Sequence, residues 1–210
     1  CGPCVIESEE HVNFMADRIH SICKHLQVNL VFKSSFDKAN RTAGSSYRGV
    51  DMKEGLRILR NISSRLNIPT LTDVHEVEQV IPAAAMVSVL QIPAFLCRQT
   101  SLLEACAETG KPINIKKGQF LSPQEMQQVA KKISDAGNER ILLCERGSSF
   151  GYNNLVVDMR GLDVMSKLGY PVIFDATHST QQPGGLGEQS GGNRDYAPLL
   201  ARAAVAAGVD

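Results

Sequence analysis

The chain has 210 residues, of which 43% are hydrophobic and 21% charged, a composition typical of a globular protein. Its 22 basic and 22 acidic residues give a formal net charge of zero, so no overall field draws it to nucleic acid or to a membrane surface. No apolar run approaches the roughly 18 residues of a membrane span, and no signal peptide is recognisable. We therefore expect a cytoplasmic protein that binds neither nucleic acid nor membrane.

Six cysteines are scattered along the chain, at positions 1, 4, 23, 97, 106 and 144. A secreted disulfide framework has denser cysteines in loop-rich sequence, so this distribution predicts a reducing environment. Cys1 and Cys4 form a CxxC motif, which occurs both in redox pairs and in half-sites for zinc. No second CxxC motif is present, so the motif alone assigns neither role.

Helical periodicity alternates with short apolar runs along the chain. Apolar residues three or four positions apart predict two helices, with faces formed by Val12, Met15, Ile19, Ile22 and Leu26, and by Met52, Leu56, Leu59, Ile62 and Leu66. Ser122 to Glu125 has the pattern of a capping box with proline at the first helical position, and it predicts a helix that ends at Gly137. A further helix is predicted near Met159 to Leu168.

The apolar runs predict seven strands, each followed by a helical stretch. They are Val5–Ile6, Leu30–Phe32, Thr70–Thr72, Val87–Ile92, Ile113–Ile115, Ile141–Leu143 and Val172–Phe174. Continuous apolar strands that alternate with helices indicate an α/β fold with a parallel sheet covered on both faces. Seven such units favour a (β/α)8 TIM barrel, as a single domain over residues 1–210. We expect it to be truncated at both ends, with a partial first strand and the eighth strand and helix beyond residue 210.

The segment from Gln182 to Gly192 contains five glycines. Glycine adopts backbone conformations that other residues avoid, so the composition predicts a mobile loop. A plain connection is the alternative, although the length of the segment favours a functional loop.

Polar and charged residues follow nearly every predicted strand. They are Lys33, Lys38, Asn40, Arg41, Asp73, His75, Gln91, Arg98, Lys116, Gln119, Glu145, Arg146, Asp175 and His178, and the apolar Phe95 follows the fourth strand. In a barrel these strand ends meet on one face, where active sites are built. The six cations Lys33, Lys38, Arg41, Arg98, Lys116 and Arg146 would repel one another there unless anions bound. Two phosphates and a carboxylate would balance them, which predicts an enzyme acting on phosphorylated small molecules.

Cys4 adjoins the first strand and His178 follows the seventh. A thiolate and an imidazole suit zinc, iron or a similar metal, although two ligands are too few without added carboxylates. His75 is open to two interpretations, because it could act in the site or orient a residue that does.

Several long motifs resemble one family, the 3-deoxy-D-manno-octulosonate 8-phosphate synthases. They are Gly2 to Ser8, Lys33 to Arg41, Gln91 to Gln99, Lys116 to Phe120, Glu145 to Gly147, Phe150 to Asn154, Asp175 to Ser179 and the glycine-rich segment. The resemblance covers essentially the whole chain and implies a (β/α)8 barrel that assembles as a homotetramer. It also implies a transferase that condenses phosphoenolpyruvate with arabinose 5-phosphate and water, releases phosphate, and supplies the Kdo sugar of lipopolysaccharide.

The resemblance also implies residue roles. The catalytic residues that it implies are Lys38, Asp73, Asp175 and His178. The substrate-binding residues that it implies are Lys33, Asn40, Arg41, Gln91, Phe95, Arg98, Lys116, Gln119 and Arg146. Among the latter, Lys116 and Arg146, together with Lys38, hold phosphoenolpyruvate. Asn40 and Arg41 take arabinose 5-phosphate, and Arg98 reaches a phosphate of the neighbouring subunit.

The family has metal-dependent members with cysteine in the Gly-Pro-Cys turn and metal-independent members with asparagine. Cys4 is typical of the metal-dependent kind, which implies a divalent ion of zinc, iron or manganese held by Cys4 and His178, with no organic cofactor. The family's remaining ligands, a Glu and an Asp, are expected beyond residue 210.

Two other functions compete with this one. The sister synthase that uses erythrose 4-phosphate, 3-deoxy-D-arabino-heptulosonate 7-phosphate synthase, typically reads Lys-Pro-Arg-Thr where this chain has Lys38-Ala-Asn-Arg41. That difference favours the five-carbon sugar. The other alternative is an inactive barrel fragment, because a barrel without its last strand has two unpaired edges.

Overall fold

The computed structural model describes residues 1–149, 153–187 and 190–210. The chain divides into two compact units, one formed by residues 1–41 and 45–91 and the other by residues 42–44 and 92–210. Each unit contains parallel strands with helices between them. The prediction of a single domain over residues 1–210 stays a prediction.

The first unit alternates three helices with three strands. In chain order they are α1 (Glu9–His25), β1 (Phe32–Lys33), α2 (Met52–Leu66), β2 (Thr70–Asp73), α3 (Val77–Met86) and β3 (Val89–Ile92).

The strands of the first unit are parallel, with β2 between β1 and β3. Phe32 pairs with Thr70, and Asp73 pairs with Gln91, so the strand ends lie at one level. The N-terminal segment adds a partial strand beside β1, since Val5 forms a parallel bridge with Ser35. Its glycine is required there, because a Cβ on Gly2, at φ +154°, would lie 1.9 Å from the Lys33 carbonyl oxygen.

The helices of the first unit bury one apolar face each. Helix α1 begins at Ser8, whose hydroxyl accepts a hydrogen bond from the His11 amide, and it buries Val12 and Ala16. Helix α2 begins at Asp51, which caps the Lys53 amide, and buries Leu56, Ile58, Leu59 and Ile62. It ends at Asn67 in the left-handed conformation.

The second unit continues the alternation and adds two short antiparallel pairs. Its elements are α4 (Thr100–Glu108), β4 (Ile113–Lys116), α5 (Met126–Asp135), β5 (Ile141–Glu145), β6 (Ser148–Ser149), β7 (Leu155–Val156), α6 (Arg160–Ser166), β8 (Val172–Phe174), β9 (Gln181–Gln182), β10 (Gly191–Gly192) and α7 (Ala197–Ala206).

In this unit β5 lies between β4 and β8, and all three are parallel. Lys116 pairs with Cys144, and Glu145 pairs with Phe174, so these strands also end at one level. The predicted capping box is present, because the Ser122 amide donates to Glu125 Oε2 at 2.8 Å. A 3-10 turn, Pro123–Glu125, opens α5 at that point. After α7, the Asp210 amide donates to the Val172 carbonyl, beside β8.

These elements confirm the α/β class, and the alternation of parallel strands with helices is that of a truncated (β/α)8 barrel. Two predicted strand starts were wrong, and β1, β2, β4 and β5 each extend one or two residues past the predicted end. Leu30 and Val31 precede β1, and Val87 ends α3 by donating its amide to the Ala83 carbonyl, so β3 begins at Val89.

Part of two predicted motifs lies outside the described residues, namely Phe150 to Tyr152 of one and Glu188 and Gln189 of the glycine-rich segment. The ends of the latter pair as β9 and β10, which the sequence did not predict. Its mobility stays a prediction. Among the helices that the structure describes, none is both long and apolar enough to cross a membrane.

Helix α2 packs closely at Gly55, where a Cβ would lie 2.5 Å from the Phe36 Cβ. We expect Gly55→Ala to lower the free energy of unfolding by about 1–3 kcal/mol, since overpacking outweighs the better helix propensity of alanine. Urea denaturation measures this. Gly44→Ala is the control, because a Cβ there meets no atom within 4 Å. A Gly55→Ala protein as stable as wild type would contradict the close contact between position 55 and Phe36.

Candidate active site

Five predicted or neighbouring polar residues meet at the strand ends of the first unit. We call Lys33, Ser35, Lys38, Asp73 and Gln91 the Asp73 cluster. Asp73 ends β2 and is buried, and its register partner Gln91 donates a hydrogen bond from its amide to Asp73 Oδ1. The parallel register thus places an amide donor directly beside the carboxylate.

Ser35 is the centre of the Asp73 cluster. Its hydroxyl donates to Asp73 Oδ2 at 2.9 Å and accepts from Lys33 Nζ at 2.9 Å and from Lys38 Nζ at 2.8 Å. Both ammonium groups also lie within salt-bridge distance of Asp73, at 3.9 Å and 3.6 Å. Lys33 further donates to the Cys4 carbonyl at 3.2 Å, so the cluster fixes the Gly-Pro-Cys turn.

Asn40 and Arg41 lie in the exposed segment that follows the Asp73 cluster. The base of this segment is closed by a bridge between Asp37 and Gly49 and by the ion pair of Arg48 with Asp37. Arg41 Nε donates to the Tyr47 carbonyl at 3.1 Å. The two residues are therefore accessible, on a loop whose ends are fixed.

A second group of charges lies at the strand ends of the other unit. We call Lys116, Asp175, Thr177 and His178 the Asp175 cluster. Lys116 Nζ donates to Asp175 Oδ2 at 2.6 Å, and His178 Nδ1 lies 2.7 Å from the same oxygen. The other oxygen, Oδ1, accepts from the Thr177 hydroxyl and from the His178 amide.

Opposing effects act on the Asp175 carboxyl. Burial alone would raise its pKa, but the hydrogen bond with His178 and the charges of Lys116 and His178 outweigh burial and lower the pKa well below its usual range. Asp175 is therefore a carboxylate at neutral pH. This carboxylate anchors Lys116 and orients the His178 ring, which leaves Nε2 as the ring nitrogen away from Asp175.

Arg146 follows β5 and is buried. Its guanidinium donates to Gln181 Oε1 at 3.1 Å, so β9 supports it from one side. Gln119 lies in the loop after β4, where its carbonyl accepts from the Ser149 amide. Phe95 and Arg98 are both exposed, in and just after the 3-10 turn Ala94–Leu96.

The cysteines differ in accessibility. None of the six, all of which lie in the described residues, forms a disulfide, and Cys4 is exposed. Burial raises the pKa of Cys106 and of Cys144 to about 12, and raises the pKa of the Cys97 thiol as well. These three thiols therefore pack in the interior and are unreactive.

Metal binding by Cys4 and His178 stays a prediction. In the described part of the chain no three His, Cys, Asp or Glu side chains form a group able to hold a metal ion. The chemistry of each residue nevertheless fits a ligand. The Cys4 thiol is exposed, and the carboxylate on His178 Nδ1 is the arrangement that orients metal-binding histidines.

His75 packs against the aromatic core. Its ring meets Phe36 edge-on, with ring centroids 6.0 Å apart, and burial lowers the pKa of the imidazole. Within the described residues its Nδ1 has no hydrogen-bond partner. These contacts favour the interpretation in which His75 orients a neighbouring residue such as Asp73 over the one in which His75 itself transfers a proton.

The charge arrangement differs from the one predicted. Strand-end lysines were expected to need external anions, but Asp73 and Asp175 already neutralise part of the charge of Lys33, Lys38 and Lys116. Sequence reasoning also missed Ser35 and Gln181 as partners. Ser35 lies inside the recognised Lys33–Arg41 motif, which was the only available signal.

Comparison with known proteins identifies a family and several named relatives. The profile of the DAHP synthetase I family matches residues 1–210. The chain is 62% identical over 209 residues to a protein of Pelobacter propionicus named 2-dehydro-3-deoxyphosphooctonate aldolase, covering 100% of this chain and 77% of the relative. Proteins of the same name from Desulfatibacillum aliphaticivorans and Geobacter sp. strain M21 are 60% and 61% identical, with the same coverage of both chains.

The Asp73 cluster depends on the Ser35 hydroxyl, so removing it should be costly. We expect Ser35→Ala to lower the free energy of unfolding by about 1–3 kcal/mol, because buried Asp73 and two ammonium groups lose a shared partner. Chemical denaturation measures the free energy of unfolding of Ser35→Ala. The control is Ser64→Ala, which changes an exposed serine of α2. Equal stability of the two variants would show that the hydroxyl is dispensable.

Proposed function

The chain belongs to the DAHP synthetase I family, and on that premise we propose that it condenses phosphoenolpyruvate with arabinose 5-phosphate and water. The products are 3-deoxy-D-manno-octulosonate 8-phosphate and inorganic phosphate. The observation that carries this proposal is the identity of about 60% to relatives named 2-dehydro-3-deoxyphosphooctonate aldolase, over the whole of this chain. The sister reaction with erythrose 4-phosphate is supported by the family description alone.

The reaction forms a carbon–carbon bond with a weak nucleophile. The enol carbon of phosphoenolpyruvate attacks the sugar aldehyde, water adds to the neighbouring carbon, and the tetrahedral species expels phosphate. Such a reaction needs reactants that are held close and correctly oriented. Lys38 and Lys116 suit this task because Asp73, Ser35 and Asp175 fix their ammonium groups before substrate binds.

The proposed substrate roles are those that the family resemblance implies, and they suit the chemistry of each residue. Lys38, Lys116 and Arg146 are assigned to phosphoenolpyruvate, whose phosphate and carboxylate need several cations. Asn40 and Arg41 are assigned to arabinose 5-phosphate, and their exposure leaves them accessible to that substrate. Lys33, Gln91 and Gln119 complete the substrate contacts, with Asp73 and Asp175 holding the lysines.

Two further assignments rest on the family resemblance alone. We propose that Phe95 lies beside phosphoenolpyruvate and that Arg98 reaches a phosphate in a neighbouring subunit of a homotetramer. The exposure of both side chains leaves them accessible for such contacts. A cytoplasmic location is proposed on a different ground, the scattered cysteines, which predict a reducing environment.

We also propose that Cys4 and His178 hold a divalent metal ion of zinc, iron or manganese. When bound, such an ion would polarise the aldehyde or help to activate water. His178 is then a ligand rather than a general base, and Asp175 fixes its ring for that purpose.

The sugar specificity can be tested directly with purified protein. We expect phosphate release from phosphoenolpyruvate to be at least about tenfold faster, in kcat/KM, with arabinose 5-phosphate than with erythrose 4-phosphate, because a site that recognises a polar substrate group rejects an analogue that lacks it. A phosphate-release assay with each aldose, and with neither, makes the comparison. Faster turnover of erythrose 4-phosphate would assign the sister reaction instead.

Metal content provides a separate test. Cys4→Ala and His178→Ala should each reduce the bound zinc, iron and manganese measured by elemental analysis, because each removes one proposed ligand. Cys23→Ala is the matched control, since this cysteine is only partly exposed on α1 and has no proposed ligand role. Metal content unchanged in Cys4→Ala would remove Cys4 from the ligand set, whatever the activity of the variant.

A further inference from the structure

A buried ion pair outside the substrate contacts lies between the segments that carry Lys116 and Arg146. Lys117 is completely buried, and its Nζ lies 3.4 Å from Glu145 Oε1, whose side chain is 4% exposed. Glu145 is one of the strand-end residues, but neither Glu145 nor Lys117 has a role in substrate binding or catalysis among those that the family resemblance implies. A buried charge is costly unless it is closely paired, so the pair needs an explanation.

The ammonium group of Lys117 ties two segments together. It donates to the carbonyls of Gly118 and Leu121, in the loop after β4, at 3.3 Å and 3.2 Å. It also donates to the Ser148 hydroxyl, in β6, which follows β5, at 2.9 Å. Because Lys117 directly follows Lys116, these contacts fix the chain immediately beside Lys116.

The carboxylate of Glu145 fixes the other segment. Glu145 Oε1 accepts hydrogen bonds from the amides of Arg146 at 2.9 Å and Gly147 at 2.7 Å. Two successive amides can point to one oxygen because the chain turns sharply at Gly147, whose φ is +99°. The backbone from which the Arg146 side chain projects is thereby held to the same ion pair.

We infer that Lys117 and Glu145 are positioning residues that set the spacing between Lys116 and Arg146 for phosphoenolpyruvate. The inference rests on the proposed function, since it takes the substrate of those two cations from there. Neither residue of the pair touches substrate. The pair acts through hydrogen bonds to the backbone on both sides, and an apolar pair of similar volume could not make them.

The test separates positioning from stability. Lys117→Met and Glu145→Gln each leave one buried charge without its partner, so we expect a lower midpoint of thermal unfolding for each single variant. The double variant Lys117→Met/Glu145→Gln removes both charges and should recover much of that midpoint. Its kcat/KM for phosphoenolpyruvate should still be about 10- to 100-fold below wild type, because small misplacements of binding groups have effects of this size.

The second substrate supplies the discriminating readout. The KM for arabinose 5-phosphate should change by less than about twofold in the double variant, since the hydrogen bonds of the pair hold the segments of Lys116 and Arg146, whose proposed substrate is phosphoenolpyruvate. The control is Lys131→Met/Asp135→Asn, which removes both charges of an exposed pair on α5 in the same unit. It should match wild type in thermal midpoint and in both KM values.

Each possible result of these measurements either supports or overturns the positioning role of Lys117 and Glu145. A double variant with wild-type kcat/KM for phosphoenolpyruvate would overturn the positioning role and leave the proposed function intact. Equal losses for both substrates would also overturn it, since they would indicate general loosening. If the wild-type protein does not condense the two substrates at all, the proposed function fails and the inference fails with it.

Discussion

The structure depends on enclosing lysine ammonium groups, wholly or largely buried, at strand ends, each beside a carboxylate. Isolated burial of such a charge costs several kcal/mol, which a carboxylate and further oxygen acceptors can offset. Asp73 meets Lys33 and Lys38, Asp175 meets Lys116, and Glu145 meets Lys117. Each carboxylate ends a strand or directly follows one. The parallel register that assembles the strands therefore also positions the charges.

Helices and strands could be predicted because their signals are local. Helix α2 has the same limits as its apolar face, and the capping box before α5 was read correctly from four residues. The antiparallel pairs β6–β7 and β9–β10 could not be predicted, since two-residue strands are too short for an alternating pattern. One strand start failed where a helix continues into the apolar run, as at Val87, whose amide donates to the Ala83 carbonyl at the end of α3.

The candidate site was predicted in its residue types but not in its pairing. Strand-end lysines and arginines are visible in the sequence, because each follows an apolar run. Their partners are not, since Asp73 lies 38 residues from Ser35 and Asp175 lies 59 residues from Lys116 along the chain. Only the register brings these pairs together. A count of strand-end cations that ignores which carboxylates the register places beside them therefore overstates the need for external anions.

The contrast between buried and exposed cations has a consequence for the proposed reaction. Lys38 and Lys116 are held by short contacts before any substrate arrives, so ordering them on binding costs little entropy. Arg41 and Arg98 are exposed, so in the proposed roles they would lose more side-chain freedom on binding a phosphate. Fixed groups are most valuable beside the carbons that react, where misplacement slows the chemistry. A terminal sugar phosphate lies far from those carbons, so an adaptable arginine on a loop is sufficient there.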